Sequence, residues 1–298
     1  MPRPPRQMSE KIRMHPADFA PSSDLPDPSA GLILHDILRV DGDQSTAAHD
    51  AIASEQAVAL EYNDISHVAL LATPLHLREL ALGFSCTEGI IRSPADVLDL
   101  DIETTPDGLV VRMQLINARL HALKLRRRSL AGSTSCGLCG VQSLEHVRRD
   151  LPPLDPPAQP WSIQAIQAAL DQLRQRQPLH QLTGATHAAA WAAADGRLVW
   201  VYEDVGRHNA LDKLIGRLLC EPVDRSTGFV VISSRASFEM VQKAHAAGIR
   251  GLIAVSAPTT LAVRMAQDAP MLLAGFARDG RCTLYSRPDY LALDRNRT

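Results

Sequence analysis

Apolar and polar positions alternate through Ala57-Val-Ala-Leu-Glu-Tyr62 and again through Ser66-His-Val-Ala-Leu-Leu71, and the polar pair Asn63-Asp64 lies between the two runs. A period of two on either side of a turn dipeptide predicts a β-hairpin, and a helix is predicted over about 74–83 after it. A further strand is expected at Leu109-Val-Val-Arg-Met-Gln-Leu115, completing a first α+β unit that ends near Arg126, Arg127 and Arg128. A short helix is predicted over 141–149. The segment Leu151-Pro-Pro-Leu-Asp-Pro-Pro-Ala-Gln-Pro160 holds five prolines, which remove backbone donors and fix φ. It is therefore predicted to be an extended linker and a domain boundary.

Beyond the linker the period changes. Ser162 can cap a helix whose apolar positions Ile163, Ile166, Leu170 and Leu173 share one face, and Pro178 bounds it. Two runs, 188–193 and 198–202, bracket the hairpin dipeptide Asp195-Gly196 and precede a helix near 209–220. Three short, almost wholly apolar runs, 229–233, 252–256 and 271–275, alternate with helical segments at 238–247 and 260–268. Nearly continuous apolar strands separated by helices predict an α/β domain whose sheet is covered on both faces. The resulting organisation is a disordered tail over 1–30, an α+β unit over 31–128, a loop, short helix and linker over 129–160, and an α/β domain over 161–298.

Composition limits the functions open to such a chain. Its 298 residues are 45% hydrophobic and carry a formal net charge of −2, enough to bury a core and too little positive charge for a general nucleic-acid binder. Five cysteines, an odd number with one close pair, argue against a secreted disulfide framework and for a reducing, cytoplasmic setting. The proline-rich first thirty residues lack the apolar core of a secretory signal, and no apolar run reaches the roughly 20 residues that cross a bilayer. Neither a membrane nor a nucleic-acid partner is expected.

The close pair is Cys136 and Cys139, in Gly132-Ser-Thr-Ser-Cys-Gly-Leu-Cys-Gly140. A thiol near a helix N-terminus loses its proton more readily, and the flanking glycines leave room for a reacting partner. Metal binding, redox exchange and sulfur carriage all use this spacing. A structural zinc site commonly needs a second close pair, whereas Cys86, Cys220 and Cys282 are isolated. A thioredoxin-like motif belongs after the first strand of a βαβ unit, and this loop follows a complete α+β unit. A persulfide carrier requires only a nucleophilic thiolate in an accessible loop.

Polar chemistry also collects at the carboxyl ends of the predicted strands, where α/β sheets bind ligands. One such end carries Glu203, Asp204, Arg207, His208 and Asn209, a second Ser234, Arg235 and Ser237, and a third Thr259 and Thr260. Were these strands parallel neighbours, the three loops would form one rim suited to an anion such as a phosphate. Ser237 and Thr259 fit equally the role of helix caps, as do Asn209 and Asp212. His208 and Lys213 fit either ligand contact or an ion-pair cluster.

Five ordered segments carry a resemblance: Gly83-Phe-Ser-Cys-Thr-Glu-Gly-Ile-Ile91, Ser133-Thr-Ser-Cys-Gly-Leu-Cys-Gly140, Glu203-Asp-Val-Gly-Arg-His-Asn-Ala-Leu-Asp-Lys213, Ser233-Ser-Arg-Ala-Ser-Phe-Glu239 and Gly275-Phe-Ala-Arg-Asp-Gly-Arg281. Together they resemble the FdhD family of formate dehydrogenase accessory proteins, from about residue 57 to 285. The resemblance implies a cytoplasmic sulfur carrier that takes persulfide sulfur from a cysteine desulfurase. It would pass that sulfur to the molybdenum or tungsten bis-molybdopterin guanine dinucleotide cofactor destined for formate dehydrogenase. It places the persulfide on Cys136 with Cys139 beside it, and the cofactor contact on Phe276, Ala277, Arg278, Asp279, Gly280 and Arg281. Arg278 and Arg281 would then donate to pyrophosphate or guanine; on residues alone they equally solvate a turn at Asp279-Gly280.

The resemblance further implies a cytidine deaminase-like C-terminal domain, without deaminase chemistry. No histidine is followed two residues on by glutamate, and Ser135 rather than proline precedes Cys136. A cofactor with two guanine dinucleotide arms, each mimicked by GDP, together with the prevalence of symmetric dimers, predicts a homodimer. Ser234, Arg235, Thr259 and His208 are expected to assist in holding each arm. Cofactor binding without sulfur transfer and thiol-disulfide exchange are the competing readings.

Overall fold

The computed structural model describes residues 28–131, 149–278 and 280–292. After a 3-10 turn at Pro28–Gly31, strands β1 (Leu32–Asp41) and β2 (Gln44–Ala53) form a long antiparallel ribbon. Its composition gave no strand signal, because neither strand has one polar and one apolar face.

The first compact unit contains β3 (Gln56–Tyr62), β4 (Ile65–Ala72), α1 (Leu77–Thr87), β5 (Val97–Thr105), β6 (Gly108–Leu115) and α2 (Asn117–Ala131). The predicted hairpin is present: Asn63 and Asp64 both adopt positive φ, at 48° and 62°, as the favoured two-residue turn between twisted strands requires. The strands order as β4-β3-β6-β5, with β3 and β6 parallel. Val58, Leu60, Tyr62, Val111, Met113 and Leu115 face the buried side of α1. That helix runs one turn further than the segment predicted over 74–83. Pro74 sits before a left-handed His76 at the N-cap, so the helix starts at Leu77 and carries Ser85, Cys86 and Thr87 in its last turn.

The proline-rich stretch is extended, as predicted, but it is not a free spacer. Leu151 and Leu154 pack on the core of the second unit. The Pro152 carbonyl lies 2.6 Å from His245 Nε2, and the Asp155 carbonyl accepts from Arg250 Nε at 3.0 Å. Two leucines among the prolines supply the apolar surface that holds the strap down. The predicted helix over 141–149 lies outside the described residues except for Arg149, which is not helical.

The second unit comprises β7 (Trp161–Ser162), α3 (Ile163–Gln175), α4 (Pro178–Thr183), β8 (His187–Ala192), β9 (Leu198–Asp204), α5 (Arg207–Cys220), β10 (Phe229–Ile232), α6 (Phe238–Ala246), β11 (Gly251–Ala254), α7 (Thr260–Asp268), β12 (Leu272–Arg278), β13 (Arg281–Ser286) and β14 (Leu291–Ala292). Ser162 caps α3 by accepting from Ala165 N at 3.0 Å. The main sheet orders as β13-β12-β11-β10-β8-β9, with β10, β11 and β12 parallel. On one face α5, α6 and α7 bury Leu211, Leu214, Met240, Val241 and Met265 against Val230, Leu252 and Leu273. On the other, α3 buries Ile166, Leu170 and Leu173 with Trp161 against Val231, Ile253 and Leu272. This is the mixed α/β architecture expected, covered on both faces.

The units meet where α1 crosses α5. A methyl group at Gly83 would collide with the Asp212 carbonyl, and one at Gly216 with the Glu79 carbonyl. The two helices therefore approach backbone to backbone, which only glycine permits. Beside this crossing His76 stacks edge-on against Tyr202, ring centroids 4.7 Å apart. Burial, with Lys213 and Arg217 nearby, lowers the His76 pKa from 6.5 to about 4.

An acid-linked loss of stability follows. Above pH 6.5 neither folded nor unfolded imidazole is charged. Between 6.5 and about 4 the unfolded chain takes up a proton that the folded chain refuses, so stability falls; by linkage the loss reaches about 3 kcal/mol. His76→Asn keeps a residue tolerant of left-handed backbone and is expected to flatten this part of the profile. Urea unfolding across the window tests it, and equal slopes for the two proteins would contradict the assignment.

Candidate functional site

Strands β9, β10, β11 and β12 all end at one edge of the second unit, because β8 runs antiparallel to both β9 and β10. The expected rim therefore exists, with one correction. The end of β9 is not adjacent to that of β10; β8 intervenes, and it brings His187 to the same edge.

The polar cluster after β9 turns mostly inward. Asp204 is wholly buried and meets Lys213 Nζ at 2.6 Å. Its carboxylate also accepts from Thr73 N at 3.1 Å, Gly206 N at 2.8 Å and Asn209 Nδ2 at 3.0 Å. Lys213 donates in turn to the Thr73 carbonyl at 3.0 Å, and Asn209 to the Leu71 carbonyl at 2.8 Å. Burial pushes the Lys213 ammonium below its ordinary value while Asp204 pulls it back up. One turn on, Asp212 accepts from Lys243 Nζ at 2.8 Å and from Thr87 Oγ1 at 2.9 Å. Burial raises Asp212, and Lys243 opposes the shift. These side chains fasten the first unit to the second. Asn209 and Asp212 lie inside α5 and cap nothing.

Glu203 serves the rim differently. Its carboxylate accepts from Leu179 N at 3.0 Å and His180 N at 2.8 Å at the start of α4, and from Thr186 Oγ1 at 2.8 Å. A carboxylate on free helix N–H groups is a favourable pairing, and here it fixes α4 and the following turn. Between that turn, α3 and the strand ends lies a cavity of about 500 Å³. Leu170, Leu173, Val255 and Ala277 give it apolar walls, and Arg174, His180, Thr186, His187 and Ser233 give it polar ones. Burial lowers His187, with Arg207 and His180 adding to the shift. An apolar slot with a few converging polar groups is the usual form of a small-molecule site.

The segment expected to hold the cofactor borders this cavity. Ala277 is buried in its wall, while Phe276 and Arg278 point outward, Phe276 46% exposed. Phe276 has φ of 50°, a left-handed conformation unusual for a bulky side chain. It is held there by a Phe276 N to Ser256 O bond of 3.1 Å and an irregularity in the β12–β13 register. Strain of this kind concentrates at ligand clamps. Arg278 pairs across the hairpin with Arg281, and the Gly280 carbonyl accepts from Gln167 Nε2 at 2.8 Å. Asp279 lies outside the described residues.

The remaining expected residues separate. Thr259 caps α7, accepting from Ala262 N at 3.4 Å. Ser234 Oγ turns back to the Arg235 carbonyl at 3.1 Å, and Arg235 is exposed at the rim. His208 lies 2.7 Å from Glu239 on the α5–α6 side of the sheet, with burial holding its pKa down and Glu239 opposing. Ser237, at the N-cap of α6, makes no cap bond, and its Oγ is buried without a hydrogen-bond partner, as is Arg207 Nε. Cys136 and Cys139 lie outside the described residues. Sequence reasoning missed Arg174, His180, Thr186 and His187; the polar run Thr183-Gly-Ala-Thr-His187 after Pro178 was the available signal.

Among the described residues no helix is long and apolar enough to cross a membrane. The chain is similar to a crystal structure described as a putative formate dehydrogenase accessory protein from Desulfotalea psychrophila, with a TM-score of 0.68 and 20% identity over 87% of this chain and 99% of that one. At that identity the likeness shows the fold. Among curated relatives, the sulfur carrier protein FdhD of Bordetella petrii is 51% identical over 86% of this chain and 93% of its own length. That of Cupriavidus necator is 52% identical over 81% and 84%. A model of the FdhD/NarQ family matches residues 53–292, which leaves the β1–β2 ribbon almost entirely outside the match. The chain belongs to the FdhD/NarQ family.

Proposed function

We propose that this protein is a sulfur carrier that delivers sulfur to a molybdenum bis-molybdopterin guanine dinucleotide cofactor, its substrate, on the way to formate dehydrogenase in the cytoplasm. The carrier function is supported by relatives named for it at about half identity and by the Cys136/Cys139 pair. The Cys136 thiolate attacks the outer sulfur of a desulfurase persulfide; a sulfur–sulfur bond forms on Cys136 and the desulfurase thiolate leaves. Attack by the Cys139 thiolate on the Cys136 sulfur then expels the outer sulfur as hydrosulfide. The two electrons come from the thiol pair, which ends as a disulfide and is restored by a cellular dithiol.

The observation that carries the nucleotide reading is the cavity of about 500 Å³ at the strand ends, within the roughly 300–1,000 Å³ range of small-molecule sites. One guanine dinucleotide arm fits the chemistry of its surroundings. Leu170, Leu173 and Val255 offer a flat apolar slot for a base. Arg174, Arg278 and Arg281 supply charge-assisted donors for pyrophosphate, and Phe276 an exposed ring at the mouth. Ser234, Arg235 and His208 lie further along the rim, and Thr259 contributes by fixing α7. Two arms call for two copies of the chain.

GDP titrated calorimetrically is expected to bind the wild type, to lose about tenfold or more in affinity on Arg281→Ala, and to be unaffected by Cys136→Ala. Equal affinity in all three proteins would remove the nucleotide from this pocket.

A further inference from the structure

His187 is pinned by the backbone on either side of it and left free at its ring. The Thr186 carbonyl before it accepts from His180 Nδ1 at 2.9 Å, and the Thr186 hydroxyl donates to Glu203 at 2.8 Å. Ala188 after it donates to Ser233 Oγ at 2.8 Å, and the Ala188 carbonyl accepts from Ser233 N at 3.0 Å. The imidazole between them lines the cavity and makes no hydrogen bond or ion pair with the described residues.

The charges around this ring are mostly of its own sign. His187 pairs across the sheet with Asp204, three residues before Arg207 opens α5. Burial, then Arg207 from α5 and His180 from α4, press the imidazole toward its neutral form. Arg174 on α3 adds a further positive charge to the cavity wall. Asp204 alone opposes them, and its carboxylate is committed to Lys213 Nζ at 2.6 Å and to three N–H donors. Glu203 is likewise engaged, by Leu179 N and His180 N. Arg207 has no carboxylate partner among the described residues, and its Nε is buried without a hydrogen bond.

A buried N–H with no acceptor costs free energy, and neighbouring cations without a countercharge add to that cost. An anion at this spot would relieve both. We propose that His187 and Arg207 form a diphosphate site at the β8–β9 end of the cavity, and that His187 takes up a proton as the diphosphate binds. Arg174, Arg278 and Arg281 carry fixed charges. His187 differs from them in being charged only when the anion is present, so the site can hold a diphosphate when full without confining two adjacent cations when empty.

The pH dependence has a definite sign. In the empty cavity His187 titrates below its ordinary 6.5, and a bound anion raises that value. Between the empty and the bound value, binding draws in a proton and affinity rises as pH falls. Above the bound value the imidazole is neutral with or without ligand, and below the empty value it is already charged, so affinity is flat on both sides.

This inference rests on the nucleotide reading of the cavity, and the probe is chosen to separate the two. GDP-mannose, like the cofactor arm, is a diphosphate ester of guanosine with no phosphate that titrates near neutrality, whereas a terminal phosphate titrates near pH 6 by itself. Calorimetry at pH 7 in buffers of different ionisation heat counts the protons taken up. The wild type is expected to take up a fraction of a proton per ligand and to bind about tenfold more tightly at pH 6 than at pH 8, the effect of a pKa shift of about one unit. His187→Gln keeps a hydrogen-bonding side chain at a half-buried position; it is expected to bind equally at both pH values and to take up no proton. As a second variant, Arg207→Met should weaken binding about tenfold or more. Binding to the wild type without proton uptake, uptake that survives His187→Gln, or full affinity in Arg207→Met would overturn the proton-coupled site and leave the nucleotide reading standing. No binding to the wild type at either pH would overturn both.

Discussion

Replacing Lys213 by methionine is expected to cost roughly 3–5 kcal/mol of folding stability, the usual penalty for leaving one member of a buried ion pair behind. Neither side chain of the Asp204–Lys213 pair has any exposed surface, and their 2.6 Å contact is the centre of the network that ties Leu71 and Thr73 to α5. Without the ammonium, the Asp204 carboxylate keeps three N–H donors but no countercharge. It must then stay ionised at a cost or take up a proton. Adding Asp204→Asn to Lys213→Met removes the stranded charge and should recover a large part of the loss, the signature of coupled neighbours. Urea unfolding of the two single variants and the double variant measures this. Additive losses would mean that the pair is not the fastening described. The effect should fall on stability and leave GDP affinity in the folded fraction unchanged, because the pair faces the interface between units and not the cavity.

Much of this architecture was legible because its strands and helices bury one face each. The Asn63-Asp64 hairpin, the α3 face from Ile166 to Leu173 and the apolar runs of β10, β11 and β12 all announce themselves by period and turn chemistry. The ribbon did not, since its strands carry apolar residues on both faces and so show no alternation. The strap after Asp150 read as a spacer because prolines dominate it, whereas two leucines decide where it lies. The site was legible as a location and not as a set of roles. The run from Glu203 to Lys213 has the composition of a ligand loop, yet α5 starts within it, and helical spacing turns Asn209, Asp212 and Lys213 toward the first unit. Cavity residues such as Arg174 and His187 come from separate elements that only the strand order brings together.

The other large effect concerns the thiols. If sulfur passes through Cys136, a cell supplied only with Cys136→Ala still makes the dinucleotide cofactor and still inserts it, because the cavity and the Phe276 to Arg281 segment are intact. The inserted metal then lacks its sulfur ligand. Formate dehydrogenase purified from such a cell is expected to hold its normal complement of molybdenum and to be essentially inactive. Enzyme from cells carrying Arg281→Ala should instead lose activity in proportion to poorer cofactor handling. A pure cofactor-binding protein would behave differently, since nothing in cofactor binding requires a thiol. The deciding quantity is therefore formate dehydrogenase activity per molybdenum atom in enzyme matured with Cys136→Ala. A value near zero with metal present is the result predicted here, and a value equal to that obtained with the wild-type chain would contradict sulfur carriage by this protein.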